Sequence, residues 1–169
     1  MYSQPQPKRT DDSFRTFEDL EVYQAAREFR KAMYGVARRL PDFEKFGLVS
    51  QVRRAALSLT NNIAEGHGRY HYLDQIKFVL QGRGSLQELM DDLNVCTDEN
   101  YLSADEIQKL KQEAVRVHQL VNGYIRYLRD RKIGQSLTLQ ETTSAGSLMD
   151  EETDAILAEP IQRFNDSTI

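Results

Sequence analysis

Apolar residues recur along this chain at alternating steps of three and four, the spacing of one face of an α-helix, and nowhere in the alternation of a strand. A first stretch, about 19–40, carries Val22, Ala26, Phe29, Met33, Val36 and Leu40, with Asp19 placed to cap its start and Pro41 to stop it. A second, about 48–65, carries Leu48, Val52, Ala55 and Leu59, with Ile63 beyond; Gly66 and Gly68 are placed to end it. A third runs from about 71 to 98. The fourth begins with Ser103 and Glu106 spaced as a capping box and continues through Ile107, Leu110, Ala114, Val117, Val121, Tyr124 and Leu128. Such steps suit helices packed at a shallow angle, and the connections, about 41–47 and 99–102, are short. The pattern predicts an all-α fold, an antiparallel up-and-down four-helix bundle over residues 17–133.

The third stretch contains VLQGRGSLQELM, residues 79–90, whose two glycines flank an arginine as in a phosphate-cradling loop. The apolar phase nevertheless continues through Ile76, Val79, Arg83, Leu86, Met90 and Leu93. A phosphate loop needs a strand before it and a helix starting after it, and the pattern has neither, so the reading is a continuous helix. Each glycine costs about 1 kcal/mol against alanine. Close approach by a neighbouring backbone is the expected compensation. Arg83 falls on the core stripe, where a lone charge is costly. Its expected partner is Glu65, with Asn62 and Ser58 filling the remaining hydrogen bonds in a polar network that fixes helix register. A site contacting ligand or nucleic acid is the other reading of these residues. On the network reading, Arg83→Ala costs several kcal/mol by stranding a buried carboxylate.

With 169 residues, 40 % of them apolar, the chain is long enough for one domain with a real core. Its net charge of −4 is uneven: residues 17–133 carry net +1, whereas residues 134–169 set seven acidic groups against Arg163. A near-neutral body carries no electrostatic proof of nucleic-acid binding. Residues 1–16, polar with Pro5 and Pro7, read as a disordered arm. Residues 134–149 read as a linker, and 150–159 as a short helix stopped by Pro160, either solvated or a docking peptide. No run approaches the ~18 apolar residues of a membrane span, and the first residues lack the apolar stretch of a signal peptide. Cys96 is the only cysteine, which excludes an intrachain disulfide and a cysteine-based zinc site. The expectation is a cytoplasmic protein with no membrane partner.

Candidate chemistry is sparse. His67 and His71 are four apart, but the glycines set His67 in a turn and no third ligand is evident, so no metal is expected. Asp91 and Asp92 are adjacent and diverge, so they do not form an acid/base pair. His118 falls one residue past the core stripe, a surface or interface position, and Cys96 reads as a buried thiol. Without a nucleophile elbow, a triad or a glycine loop, neither a catalytic residue nor a cofactor is expected. The basic residues offer more. Arg27, Arg30, Lys31, Arg38 and Arg39 line the polar side of the first helix, and Arg116, Arg126, Arg129, Arg131 and Lys132 gather on the fourth. Arg53 and Arg54 differ by about 100° around the second, so one is expected to pair with an acid of another helix while the other faces solvent or a subunit. These groups form either an ordinary solvated face or a phosphate-contacting surface. Tyr70, Tyr72, Tyr101, Tyr124 and Tyr127 either stack on bases or finish a core or interface.

The stretches FEDLEVYQAARE (17–28), EKFGLVSQVRRAALSLTNNIAEGHGR (44–69), GRGSLQEL (82–89) and NYLSADE (100–106) closely resemble the 23S rRNA intervening-sequence protein family of four-helix bundles, over about 17–131. Members of that family are encoded in insertions within large-subunit rRNA genes and elsewhere in bacterial genomes. A related branch, the accessory variability proteins of diversity-generating retroelements, looks like a pentameric barrel that binds reverse transcriptase and nucleic acid. The resemblance therefore implies a homopentamer and a non-enzymatic accessory protein associated with RNA or DNA, acting on rRNA or beside a reverse transcriptase. The chain departs from that branch in charge, since the branch is strongly basic. The alternative is a pentameric scaffold that presents its acidic C-terminal tails to a protein partner.

Overall fold

The computed structural model describes residues 16–142, with side chains through Arg131. Four α-helices follow in order: α1 Glu21–Ala37, α2 Leu48–His67, α3 Tyr72–Asp98 and α4 Ala104–Thr142. Among the described residues there is no strand, and no helix is long and apolar enough to cross a membrane. Arg30 of α1 meets Thr60 of α2, Gln51 of α2 meets Glu88 of α3, Lys111 of α4 meets Asn94 of α3, and Arg39, just past α1, meets Glu106 of α4. Arg30 and Thr60 meet along the middle of their helices, whereas the other three pairs set the later part of one helix beside the first two turns of its neighbour, so neighbours run antiparallel and α4 closes the ring against α1. Of the arm read over 1–16 only Thr16 is described; the part of the acidic tail beyond Thr142, with its docking helix (150–159), lies outside the described residues, as does the side chain of Lys132.

The stripes anticipated on α1 and α2 are buried at every position, and that on α4 at all but half-buried Tyr124. The core is thus a single seam of Phe29, Met33, Leu59, Ile63, Ile76, Leu86, Leu89, Leu93 and their neighbours. On α3 the buried arc is wider than the predicted stripe. Leu89, Ser85, Asp92 and Cys96 join it, while Arg83 and Met90 sit at its edge, half-buried.

Local signals at the helix ends were partly redirected. Asp19 does not cap α1. It accepts the Thr16 N–H at 2.9 Å, and Thr16 answers through Glu18 N–H, closing a reciprocal box around the short turn Phe17–Asp19. Ser103 accepts the Glu106 N–H at 3.3 Å, but the Glu106 carboxylate reaches across to Arg39 instead of back to its own cap. At the far end of α3, Asn100 turns into the left-handed region at φ 54°, and the Tyr101 N–H returns to the Cys96 carbonyl at 2.9 Å. The fourth helix continues to Thr142, into the stretch read as a linker. That stretch holds no proline before Thr142, and one glycine, Gly134, is a cost an established helix absorbs.

The glycines divide into two kinds. A Cβ on Gly82 would lie 3.2 Å from the Leu59 carbonyl oxygen and 3.4 Å from Asn62 Cβ, so α2 does approach α3 backbone-close at this point. Gly66, expected to end the second helix, lies inside α2 instead. Its missing side chain admits α3, since a Cβ there would meet the Gln75 carbonyl oxygen at 3.0 Å and Phe78 Cβ at 3.1 Å. Gly84 differs: it is exposed and has open space around it, so close approach does not account for it.

Candidate nucleic-acid interface

The expected pairing of Arg83 with Glu65 is not the one formed. Glu65 is exposed and bonds Arg69, one turn further along the chain. Arg83 points the other way, from α3 to α4, and donates to Asn122 Oδ1 at 3.3 Å. Asn122 in turn lies 3.3 Å from His118 Nδ1. Since the Asn122 oxygen accepts from Arg83, its Nδ2 is the donor to His118, which places the ring proton on Nε2. His118 is buried, against expectation, and burial together with the Arg83 charge holds its pKa below the ordinary value. Asn62 and Ser58 do form a network, but with Ser85: Asn62 donates to the Ser58 hydroxyl at 3.1 Å, and the Ser85 hydroxyl to Ser58 at 2.8 Å. The reason is rotational. Arg83 follows Gly82, which faces α2, by about 100°, and that turn carries its side chain toward α4. No carboxylate is stranded on its removal, so Arg83→Ala is expected to cost about 1 kcal/mol, the worth of an ordinary hydrogen bond. Urea unfolding checks this, and an NMR titration should show the His118 pKa rising once the neighbouring cation is gone.

The basic candidates sort by partner. Lys31 is paired with Glu28 at 2.7 Å, and Arg39 binds Glu106 through both guanidinium nitrogens. Neither Arg53 nor Arg54 forms a salt bridge among the described residues, although the Arg54 charge acts on Asp92 of α3: Arg54 donates to Gln51 on its own helix, and Arg53 lies over the Tyr34 ring, 5.4 Å from its centroid. On α4, Arg126 is exposed, Arg129 half-buried, and Arg131 donates to the Tyr127 hydroxyl at 2.9 Å.

What remains is a stripe along one groove. On α1, Arg27, Arg30, Tyr34 and Arg38 follow at steps of three, four and four, within about 80° of arc. On α2, Arg53, Leu57, Thr60 and Ala64 do the same. The two rows meet: Arg30 Nη1 donates to Thr60 Oγ1 at 2.9 Å, and Thr60 passes its own proton to the Leu57 carbonyl at 3.2 Å. Arg30 is therefore fixed and half-buried, while Arg27, Arg38 and Arg53 are exposed above it. None of the four makes a salt bridge among the described residues. The cause is in the sequence: α1 carries no acid after Glu28, and α2 carries none before Glu65. From Arg27 to Arg38 the row spans about 16 Å, the axial rise of about five nucleotides of one strand. Four guanidiniums can hold successive phosphates, with the Tyr34 ring beneath Arg53 and packed against the core. Tyr34 and Thr60 were not singled out from the sequence. Steps of four from Arg30 and Arg53 toward an acid-free groove were the signal available.

The adjacent acids also separate as expected. Asp91 is exposed and accepts from Asn94 at 3.3 Å. Asp92 is buried at the α2–α3 contact, and its Oδ2 has no hydrogen-bond donor. Burial above all, then the nearby Asp91 and Glu88 charges, pushes its pKa up to about 6, against the pull of Arg54. Cys96, one turn on, is buried as anticipated, and burial with the Asp92 charge raises its thiol to about 11, far from a reactive thiolate. His67 proves to be the last residue of α2 and His71 precedes α3; no cluster able to hold a metal forms among the described residues.

No curated protein matches the chain. Residues 18–123, which span the start of α1 to the middle of α4 and include the whole arginine groove, match the model of the 23S rRNA-intervening sequence proteins. The chain belongs to the 23S rRNA-intervening sequence protein family.

Proposed function

We propose that the protein is a non-enzymatic RNA-associated protein that holds the sugar-phosphate backbone of ribosomal RNA in the α1–α2 groove. The observation that carries this reading is the row of Arg27, Arg30, Arg38 and Arg53, none of them in a salt bridge among the described residues, on a stretch with no acid on α1 after Glu28 or on α2 before Glu65. The family name supports ribosomal RNA as the class of nucleic acid. Such a row binds phosphates whatever the base sequence, so recognition rests on backbone shape. The homopentamer implied by the family resemblance repeats the row five times in this proposal, and repetition turns a modest patch into a strong field on a body of net charge near zero. The groove does not hold a reacting atom between a base and a nucleophile, so binding, not turnover, is the role proposed for it.

The test is a salt titration of RNA binding by fluorescence anisotropy. It compares the wild type with a variant carrying Gln at Arg27, Arg30, Arg38 and Arg53. The slope of log affinity against log salt is expected to fall by about 3 in the variant, and binding at moderate salt to weaken at least a hundredfold. Lys77→Gln on α3 serves as the control and should change little. A folded quadruple variant that binds with the wild-type slope would remove the groove from the account.

A further inference from the structure

At the end of the bundle where α1 begins and α4 runs on past its neighbours, a cavity of about 440 Å³ opens, within the size range of small-molecule sites. Three tyrosines stand in its wall, beside the charged or polar side chains of Asp19, His67, Gln75 and Arg131. Tyr124 and Tyr127 of α4 stand nearly parallel, with centroids 6.2 Å apart and an interplanar angle of 17°, and Tyr72 comes in from the start of α3. Arg131 stands between the two helices, its guanidinium 5.7 Å from the ring centroids of both Tyr72 and Tyr127. One of its five donors is spent on the Tyr127 hydroxyl, and no described carboxylate pairs with it, so the rest are available to an anion. The other polar groups are already oriented. Asp19 accepts the Thr16 N–H, and Gln75 donates to the Arg69 carbonyl at 2.7 Å, which leaves its own carbonyl as an acceptor. Burial keeps the Tyr124 phenol neutral, with its pKa near 12. Flat ring faces call for a π-surface, and the Arg131 guanidinium, which shares the wall with the Asp19 carboxylate already bonded to Thr16 N–H, calls for an anion. A nucleotide carries both.

We propose that this cavity is a nucleotide site, in which a base stacks against the Tyr72 and Tyr127 rings and the adjoining phosphate sits on the Arg131 guanidinium. The site deepens the RNA reading while using none of the groove residues. Leu20 lines the cavity, and Arg27 is about 10 Å further along α1, so a strand lying in the groove reaches the cavity within a few nucleotides. The same chemistry is offered by a free mononucleotide and by an unstacked base of a strand.

Two titrations of the full chain separate these sources. Adenosine or uridine monophosphate is added in one and a single-stranded RNA hexamer in the other, with tyrosine ring signals followed by NMR. Tyr127→Ala and Arg131→Gln are the probing variants, because both side chains are exposed enough for the bundle to keep its fold. Each is expected to weaken binding roughly tenfold or more and to abolish the ring shifts of Tyr72 and Tyr124. Saturable mononucleotide binding lost in both variants assigns the site to free nucleotides. Ring shifts caused by the hexamer alone, lost in both variants, assign it to a base of a strand. Ring shifts absent with both ligands, or retained in both variants, overturn the proposal. Mononucleotide binding that survives the groove substitutions while RNA binding by the wild type shows no salt dependence would leave this site standing and remove the groove reading alone.

Discussion

Gly82→Leu is expected to destabilise the bundle by about 3 kcal/mol or more, while Gly84→Ala, two residues on, is expected to stabilise it by about 1 kcal/mol. The two glycines look alike in sequence, each beside Arg83 and each unfavourable in a helix interior. They differ in what surrounds them. A first side-chain atom at Gly82 would already lie 3.2 Å from a backbone oxygen of α2, and backbone cannot swing aside as a flexible side chain can. The remaining atoms of a leucine would have to separate α2 from α3, losing contacts around Leu59 and Ile63 in the middle of the core. At Gly84 nothing lies within 4 Å, so alanine brings only its better helix propensity. Urea unfolding of both variants gives the two free energies directly. Equal effects of the same sign would mean that α2 and α3 do not pack as closely as the Leu59 carbonyl and Gly82 require.

Asp92→Asn is expected to stabilise the protein by about 1–3 kcal/mol at pH 8 and by little at pH 4. The sign follows from the raised pKa. In the folded chain Asp92 titrates at about 6, against 3.8 ordinarily. Below about pH 4 both folded and unfolded chains hold the proton, and burying a neutral acid is cheap. As the pH rises through 4 to 6, the unfolded chain releases its proton first, so this group's contribution to stability falls. Above 6 the folded chain carries a buried carboxylate with one oxygen lacking a donor, and the penalty stays constant. Asparagine has the same shape without the charge, so its variant should lose this slope. A stability difference between the two proteins that is flat from pH 4 to 8 would show that the carboxylate is solvated in the folded chain. The burial places Asp92 beside Cys96 and the Arg54–Gln51–Glu88 bonds, at the far end of the bundle from the tyrosine cavity. Its titration therefore leaves nucleotide binding at the cavity unchanged.

Much of the fold was legible in the chain because a helix writes its buried face at fixed intervals. The steps of three and four placed the starts of all four helices and the ends of the first three within a few residues, and they carried the third through Gly82-Arg83-Gly84 without a break. Ends were less legible, because a cap has alternatives of similar energy: Asp19 serves a preceding turn, and Glu106 prefers Arg39, just past α1, to its own backbone. The fourth helix outran its apolar stripe because propensity alone sustains a helix once packing has nucleated it.

The sequence by itself determined where the four helices begin, the core stripes of α1, α2 and α4, and the family. The partners of its polar residues were decided by tertiary structure. Glu65 bonds Arg69 on its own side of the chain, and the rotation of α3 sends Arg83 away to Asn122. Asp92 follows exposed Asp91 in the chain, yet the width of the buried arc on α3 takes one inside and leaves the other in water. The arginines of α1 and α2 read either as a solvated face or as a phosphate-contacting surface, and the packing of the two helices sets Arg30 on Thr60 and Arg53 on Tyr34. Periodicity is a property of one helix and is written locally. A polar contact depends on the relative rotation of two helices, which no local stretch of sequence specifies.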